Sequence, residues 1–331
     1  MQDFAGNGGA TPYLEGGFGI PIGKGGKGVA ELRFSETLAH LQDQIIAQAR
    51  VVLREDYELI VLYSPVIDDS AHLLVGHLDP SFAEYDSKLA SIVWDRITDS
   101  FKLQDRFLGV LMDAAAKENA HLILVSDHGL SATNRLINVN IALMQAGFLS
   151  LNPDRSIDLE ATQALMPPLS DGSIAINTLD RAGGIVSSKD RETVLMAVRK
   201  ALAEMKDPET KERLITAFYE PMTNGLLQPG GESTGDLFLE FAKGYYPSSA
   251  TAVNSVVQRI EPRGTHVYVP TRRDMIAIFG AWGPRVRPNY RFGKVRAIDV
   301  VPTVMDLLGL PHAAELPGRS LLKRNTLLKS R

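Results

Sequence analysis

Apolar residues recur at helical spacing in three stretches of the chain. The first apolar stripe follows Ser35, a suitable N-cap residue, and comprises Leu38, Leu41, Ile45, Ala49 and Val52. A second pattern predicts a long helix over residues 87–116. The third is IDVVPTVMDLLGLP, in which Pro302 occupies the first turn and Gly309 ends the helix.

Three other short runs predict buried strands, as in a parallel sheet: LIVLY at 59–63, HLILVS at 121–126 and DMIAIF at 274–279. Strands that alternate with helices predict an α/β fold with a mostly parallel sheet. We expect its core in residues 35–137 and 259–331.

Residues 138–258 differ from this pattern. They contain helical patterns near 189–206 and 209–218 and the strand-like runs SIAIN and DLFLEF, which predict an inserted α+β cap. Residues 1–34 are rich in glycine and carry no periodicity, so they predict an irregular segment. GKGGKG within them fits G-x-G-x-x-G, but no strand precedes it, and a dinucleotide site is therefore not indicated.

The composition restricts the chemistry available to the chain. With no cysteine among 331 residues, any metal ion must be held by His, Asp or Glu side chains. The formal net charge of −4 does not indicate a nucleic-acid-binding surface. The glycine-rich, polar N-terminal stretch does not suit a signal peptide, and no apolar run approaches the roughly 18 residues of a membrane span. The sequence assigns neither a compartment nor an oligomeric state.

Acidic and histidine residues flank all three predicted strands. Asp68 and His72 follow the first run, Asp127 and His128 follow the second, and His266 precedes the third. Ligands of open α/β sheets bind beyond the carboxyl ends of the strands, so we expect these side chains to meet there. Imidazole and carboxylate groups together suit Zn²⁺ or a similar divalent ion.

Taken singly, each of these residues has a simpler explanation. An Asp-His pair after a strand is usually a turn in which Asp caps the backbone, as Asp127 and His128 could do. His72 alone suits a helix surface, and His266 alone suits a loop. Only the joint pattern favours a metal site.

Four motifs occur in an order that resembles the alkaline phosphatase superfamily: DDSAH, SDHG, GTHVY with DMIAIFGAWGP, and AIDVVPTVMDLLGLP with LPGRSLL. The resemblance covers about residues 35–325 and is strongest to the type I phosphodiesterase/nucleotide pyrophosphatase branch. It implies a mostly parallel sheet with helices on both faces and an inserted cap. It also implies two zinc ions, one bound by Asp68, His72 and His266 and the other by Asp127 and His128.

The chain departs from the family pattern upstream of Asp68. The family's further Asp ligand of the second ion and its Thr or Ser nucleophile have no counterpart in this sequence. We therefore expect an N-terminally truncated member with its first strand or strands missing and an incomplete second metal site. The catalytic and substrate-binding residues are not identified.

The resemblance implies hydrolysis of phosphodiester or phosphoanhydride bonds in a small phosphorylated substrate such as a nucleotide. Phosphomutase, phosphonate hydrolase and sulfatase activities are alternatives within the superfamily. A sulfatase needs a Cys or Ser in a formylglycine motif, and the segment that would carry it is absent. A catalytically dead metal-binding fragment or pseudoenzyme is the alternative from another class.

Overall fold

The computed structural model describes residues 29–168, 170, 172–220, 235–311 and 316–322. The GKGGKG motif lies outside these residues, as does most of the predicted irregular segment. The helices within them are α1 (Val29–Val52), α2 (Val66–Leu74), α3 (Ser87–Lys117), α4 (Val139–Gln145), α5 (Arg191–Ala203) and α6 (Val300–Leu308). The strands are β1 (Leu122–Val125), β2 (Ser131–Asn138), β3 (Ala164–Leu165), β4 (Ser173–Ile176), β5 (Ile215–Tyr219), β6 (Leu237–Phe241), β7 (Gly244–Ser248), β8 (Val257–Thr265) and β9 (Phe279–Trp282).

The chain forms two compact units. The first comprises the chain up to Ser70, Ser91–Gly129 and the chain from Ile276, and the second comprises Ala71–Ala90 and Leu130–Met275. Both α2 and α3 continue through a boundary between the units. None of the helices within the described ranges has the length and apolar character that a membrane span requires.

Helices dominate the first unit. In α1 the predicted stripe is confirmed, because Leu38, Leu41 and Ala49 are buried. The predicted N-cap at Ser35 is wrong, since α1 already begins at Val29 and buried Phe34 extends the apolar stripe toward the N-terminus. The predicted helices over 87–116 and at the C-terminus are confirmed as α3 and α6.

The predicted strand at 59–63 is wrong. These residues form no regular secondary structure, and no described strand pairs with them. Leu62 packs against a cluster that includes Ile46 and Phe107, whereas Leu59, Val61 and Tyr63 are exposed, Val61 to 83 %. A strand exists only through hydrogen bonds to a neighbour, which an apolar run does not supply by itself.

The strand predicted at 121–126 is confirmed as β1, which spans Leu122–Val125, but it is only half-buried. It pairs with β9 in antiparallel orientation, from Leu122 with Trp282 to Val125 with Phe279. The strand predicted at 274–279 begins later, at Phe279, because residues 273–275 form a 3₁₀ turn whose Met275 enters the core of the second unit.

The second unit contains two sheets around one apolar core. One sheet has the order β7-β2-β8 and the other β3-β4-β6-β5. The predictions for SIAIN, DLFLEF and 189–206 are confirmed as β4, β6 and α5. The helix predicted at 209–218 is wrong, because Ile215–Tyr219 instead pairs with β6 as an antiparallel strand.

The mixed α/β class is confirmed, but the mostly parallel sheet is not found among the described strands. Among the named strands that the structure describes, β2 and β7 form the one parallel pair, and the other pairs are antiparallel. Parallel pairing needs a crossover between two neighbouring strands. The LIVLY run, which would supply one such neighbour, is not paired with any described strand.

Candidate metal site

Helix α2 presents Asp68 and His72 on the same face, because the two residues are four positions apart in the helix. Asp68 belongs to the first unit and His72 to the second, but both residues lie in the one helix α2. The geometry of this helix sets the position of Asp68 relative to His72. The possible ligand atoms of Asp68, His72 and His266 all lie within 4.8 Å of one another. All three side chains are half-buried, which leaves the group accessible from solvent.

His266 comes directly after β8. The last residue of β8, Thr265, is buried and pairs with Ser131 of β2. This pairing fixes the start of the following segment, residues 266–275, which we call the His266 loop. The rings of His72 and His266 meet edge to face, with centroids 4.9 Å apart and an interplanar angle of 67°. The two imidazoles thus come together although they are distant in sequence.

A backbone carbonyl orients the ring of His72. Its Nδ1 lies 2.9 Å from the carbonyl oxygen of Gly264, which can only accept a hydrogen bond. Nδ1 therefore carries the proton, and Nε2 carries the lone pair that a metal ion requires. This arrangement is the usual support for a histidine ligand.

Two glycines allow α2 and the short 3₁₀ helix after it to contact β8 directly. A Cβ atom on Gly76 would lie 2.0 Å from the backbone nitrogen of Arg263. A Cβ atom on Gly264 would lie 2.5 Å from the carbonyl oxygen of Ala71. Any side chain at either position would therefore push His72 and the His266 loop apart.

Asp127 and His128 lie in the turn after β1, and their side chains converge on each other. His128 Nε2 is 3.4 Å from Asp127 Oδ2, and Asp127 Oδ1 accepts a hydrogen bond from the His128 backbone N–H at 3.1 Å. The Asp127 side chain is 74 % exposed. Within the described residues, this pair is not part of the three-residue group formed by Asp68, His72 and His266.

The negative charges of the first unit influence Tyr63. The pKa of its hydroxyl is raised, first by partial burial of this largely exposed side chain and then by the charges of Asp68, Asp127 and Asp69. Asp127 therefore shares an acidic environment with Asp68, one that would attract a cation.

Asp69, which directly follows Asp68 in the sequence, is not among the candidate residues that the sequence indicates. Asp69 is only 7 % exposed, and its Oδ2 has no hydrogen-bond partner among the described residues. Burial, and then the charge of Asp68, raise its pKa to about 7. Two adjacent aspartates look alike in a sequence, and only the packing of α2 distinguishes them.

One carboxylate and two imidazoles are a suitable ligand set for Zn²⁺ or a related ion, because catalytic zinc sites commonly have three such protein ligands. The described residues contain one group of three or more side chains with this geometry. The chain is thus a mixed α/β protein with a candidate centre for a divalent metal ion.

The sequence profile of the type I phosphodiesterase / nucleotide pyrophosphatase family matches residues 27–268, and the chain belongs to this family. The family is part of the alkaline phosphatase superfamily, and its members are hydrolases that act on phosphodiester or pyrophosphate bonds. The matched span includes all five residues proposed from the sequence as metal ligands. No curated protein is significantly similar to the chain.

Proposed function

We propose that the chain is a hydrolase that uses divalent metal ions to cleave phosphodiester or phosphoanhydride bonds in a small phosphorylated substrate such as a nucleotide. The observation that carries the proposal is the convergence of Asp68, His72 and His266 in a chain of this family. The α/β core would be of the alkaline phosphatase type. Residues 138–258 would act as a cap that selects the substrate.

The first ion would be held by Asp68, His72 and His266. Zn²⁺ suits this group, because two imidazoles and one carboxylate are a ligand set of catalytic zinc sites. The ion would neutralise charge that develops on the phosphoryl oxygens during in-line displacement. The hydrogen bond from His72 to Gly264 supports this role by holding the ring in one tautomer.

A second ion would be held by Asp127 and His128. Their mutual approach across the turn supports this assignment, because two possible metal-ligand atoms, His128 Nε2 and Asp127 Oδ2, already lie close together. The negative charges around Tyr63 also favour a cation in this neighbourhood. In the reaction, Asp127 and His128 would bind and orient this second ion. The nucleophile is not among the residues assigned.

The experiment compares metal binding and hydrolysis in the wild type, His266→Gln and His40→Gln. His40 is exposed on α1 and serves as the matched control. After chelator treatment and reloading, we expect bound zinc and hydrolysis of bis(p-nitrophenyl) phosphate in the wild type and in His40→Gln. His266→Gln should lose both.

Other substrates separate the alternatives. Turnover of p-nitrophenyl sulfate or a phosphonate ester without turnover of the diester would assign another superfamily activity. Bound zinc with no turnover of any ester would show a metal-binding protein without catalysis and would contradict the proposal. Equal zinc content in His266→Gln and the wild type would remove His266 from the site.

A further inference from the structure

The loop that follows His266 is anchored in the core of the second unit. The ring of Tyr268 is buried there, and its hydroxyl donates a hydrogen bond to the backbone oxygen of Tyr245 at 2.7 Å. Met275, at the other end of the loop, belongs to the same core. The loop is therefore held by packing near its start, at Tyr268, and at its end, at Met275.

A buried carboxylate forms a second anchor. Glu240 in β6 is 7 % exposed, and its Oε2 accepts a hydrogen bond from the backbone N–H of Val269 at 3.0 Å. Burial raises the pKa of Glu240, while the bond from Val269 and the charge of Arg272 act in the opposite direction. A buried carboxylate is costly for a fold, so its presence calls for a compensating contact.

Arg272 connects this carboxylate to the rest of the loop. Its guanidinium lies 3.8 Å above the ring centre of Tyr268 and 3.7 Å from Glu240 Oε1. It also donates two hydrogen bonds to Asp274, at 3.1 and 2.7 Å. The loop thus folds on itself around Arg272, with Glu240 as the point where it meets β6.

We propose that Glu240 is a positioning residue that holds His266 where it can share a metal ion with His72. His266 lies between Thr265, which is paired with Ser131, and Val269, which is bonded to Glu240. With both flanks held, the imidazole has little freedom to leave the ring of His72. A metal site tolerates errors of only about 0.2 Å in ligand distance, so this restraint governs affinity. The inference rests on the proposed metal site.

Asp236 offers a matched control for Glu240. It is also a buried carboxylate of the second unit, and it accepts hydrogen bonds from the backbone N–H of Ile176 at 2.6 Å and from Arg191 at 2.8 Å. The hydrogen-bond partners of its carboxylate among the described residues are Ile176, Arg181 and Arg191, which lie outside residues 266–275. Glu240→Ala and Asp236→Ala therefore remove comparable interactions, and only the first affects the His266 loop.

The measurements are zinc affinity by competition with a chromophoric chelator and thermal unfolding of the metal-free protein. We expect Glu240→Ala to weaken zinc binding about tenfold, the lower end of the range for residues that support ligands. Glu240→Gln should restore affinity, since its amide oxygen can still accept from Val269. Glu240→Ala and Asp236→Ala should lower the melting temperature by similar amounts. Asp236→Ala should leave zinc affinity unchanged.

A second readout does not depend on metal. NMR signals of the His266 ring, assigned with His266→Gln, should broaden or shift in metal-free Glu240→Ala and stay unchanged in Asp236→Ala. Unchanged signals, or equal zinc affinity in Glu240→Ala and Asp236→Ala, would overturn the positioning role. If the wild type binds no zinc while metal-free Glu240→Ala shows the expected NMR change, the proposed function is refuted and the positioning of His266 by Glu240 remains supported.

Discussion

Replacing Gly76 with alanine should separate His72 from His266 without removing either ligand. Gly76 lies one helical turn after His72, on the face that carries Asp68 and His72. Its new Cβ would lie 2.0 Å from the nitrogen of Arg263 and 2.4 Å from the carbonyl carbon of Pro262. Both obstacles are backbone atoms, so no side-chain rotation can relieve the contact.

The size of the effect follows from these distances. Ordinary contact begins at 3.4 Å, so the backbone near Gly76 must move by more than 1 Å from Arg263. That displacement is several times the roughly 0.2 Å that metal coordination tolerates. We therefore expect zinc affinity to fall at least tenfold, within the range seen when support of a ligand is lost. Overpacking should also cost about 1–3 kcal/mol of unfolding free energy.

The assay is a zinc competition titration of Gly76→Ala alongside thermal unfolding of the metal-free protein. Gly109→Ala is the control, because a Cβ at this position in α3 meets nothing within 4 Å. This control should bind zinc normally, and its helix should gain up to about 1 kcal/mol from the higher helix propensity of alanine.

The reasoning would be refuted if Gly76→Ala bound zinc as tightly as the wild type. Such a result would mean that the close approach of this segment to β8 does not set the spacing of the ligands. A loss of affinity in Gly109→Ala of the same size would equally remove the steric explanation.

Three further predictions concern stability. Burial would raise the pKa of Asp207, but hydrogen bonds, the first from Tyr245, lower it below the usual value. A carboxylate with a depressed pKa stabilises the fold above its unfolded pKa, and this contribution is lost as the pH falls through the folded pKa. Asp207→Asn should therefore unfold with a weaker pH dependence below about pH 4, measured by urea titration at several pH values. Val61→Ala should change stability by at most about 0.5 kcal/mol, whereas Leu38→Ala should cost about 2–5 kcal/mol by denaturant unfolding. Gly309 has a φ of 72° and ends α6, so Gly309→Ala should cost about 1 kcal/mol in the same assay.

Each of these expectations has a clear contrary result. An unchanged acid transition in Asp207→Asn would show that this carboxylate does not govern acid unfolding. A cost of several kcal/mol for Val61→Ala would mean that this side chain is buried in solution. A neutral Gly309→Ala would mean that the helix end adapts to a different backbone conformation.

Local features of the molecule could be predicted from the sequence because they depend on neighbouring residues. The boundaries of α3 and the end of α6 at Gly309 follow from apolar spacing and from the conformational freedom of glycine. The shared face of Asp68 and His72 follows from helical geometry alone. The restriction of metal ligands to His, Asp and Glu follows from the absence of cysteine.

The strands could be predicted less well. LIVLY and LILV look equivalent in the sequence, yet among the described strands LILV pairs with Phe279–Trp282 and LIVLY pairs with none. Residues 215–219 look helical and are a strand because β6 pairs with them. Strand formation depends on which distant segment lies alongside, and neither hydrophobicity nor period contains that information.

What the sequence by itself determined is the identity of the candidate ligands, the helix that carries two of them and the family to which the chain belongs. Only the tertiary structure decided that the ring of His266 meets the ring of His72. It also placed the carbonyl of Gly264, 192 residues after His72 in the chain, against the His72 ring. It also decided that Asp69, and not Asp68, is the buried member of the acidic pair. The physical reason is that a helix closes its hydrogen bonds within four residues, whereas the candidate metal site depends on packing between segments that are remote in sequence.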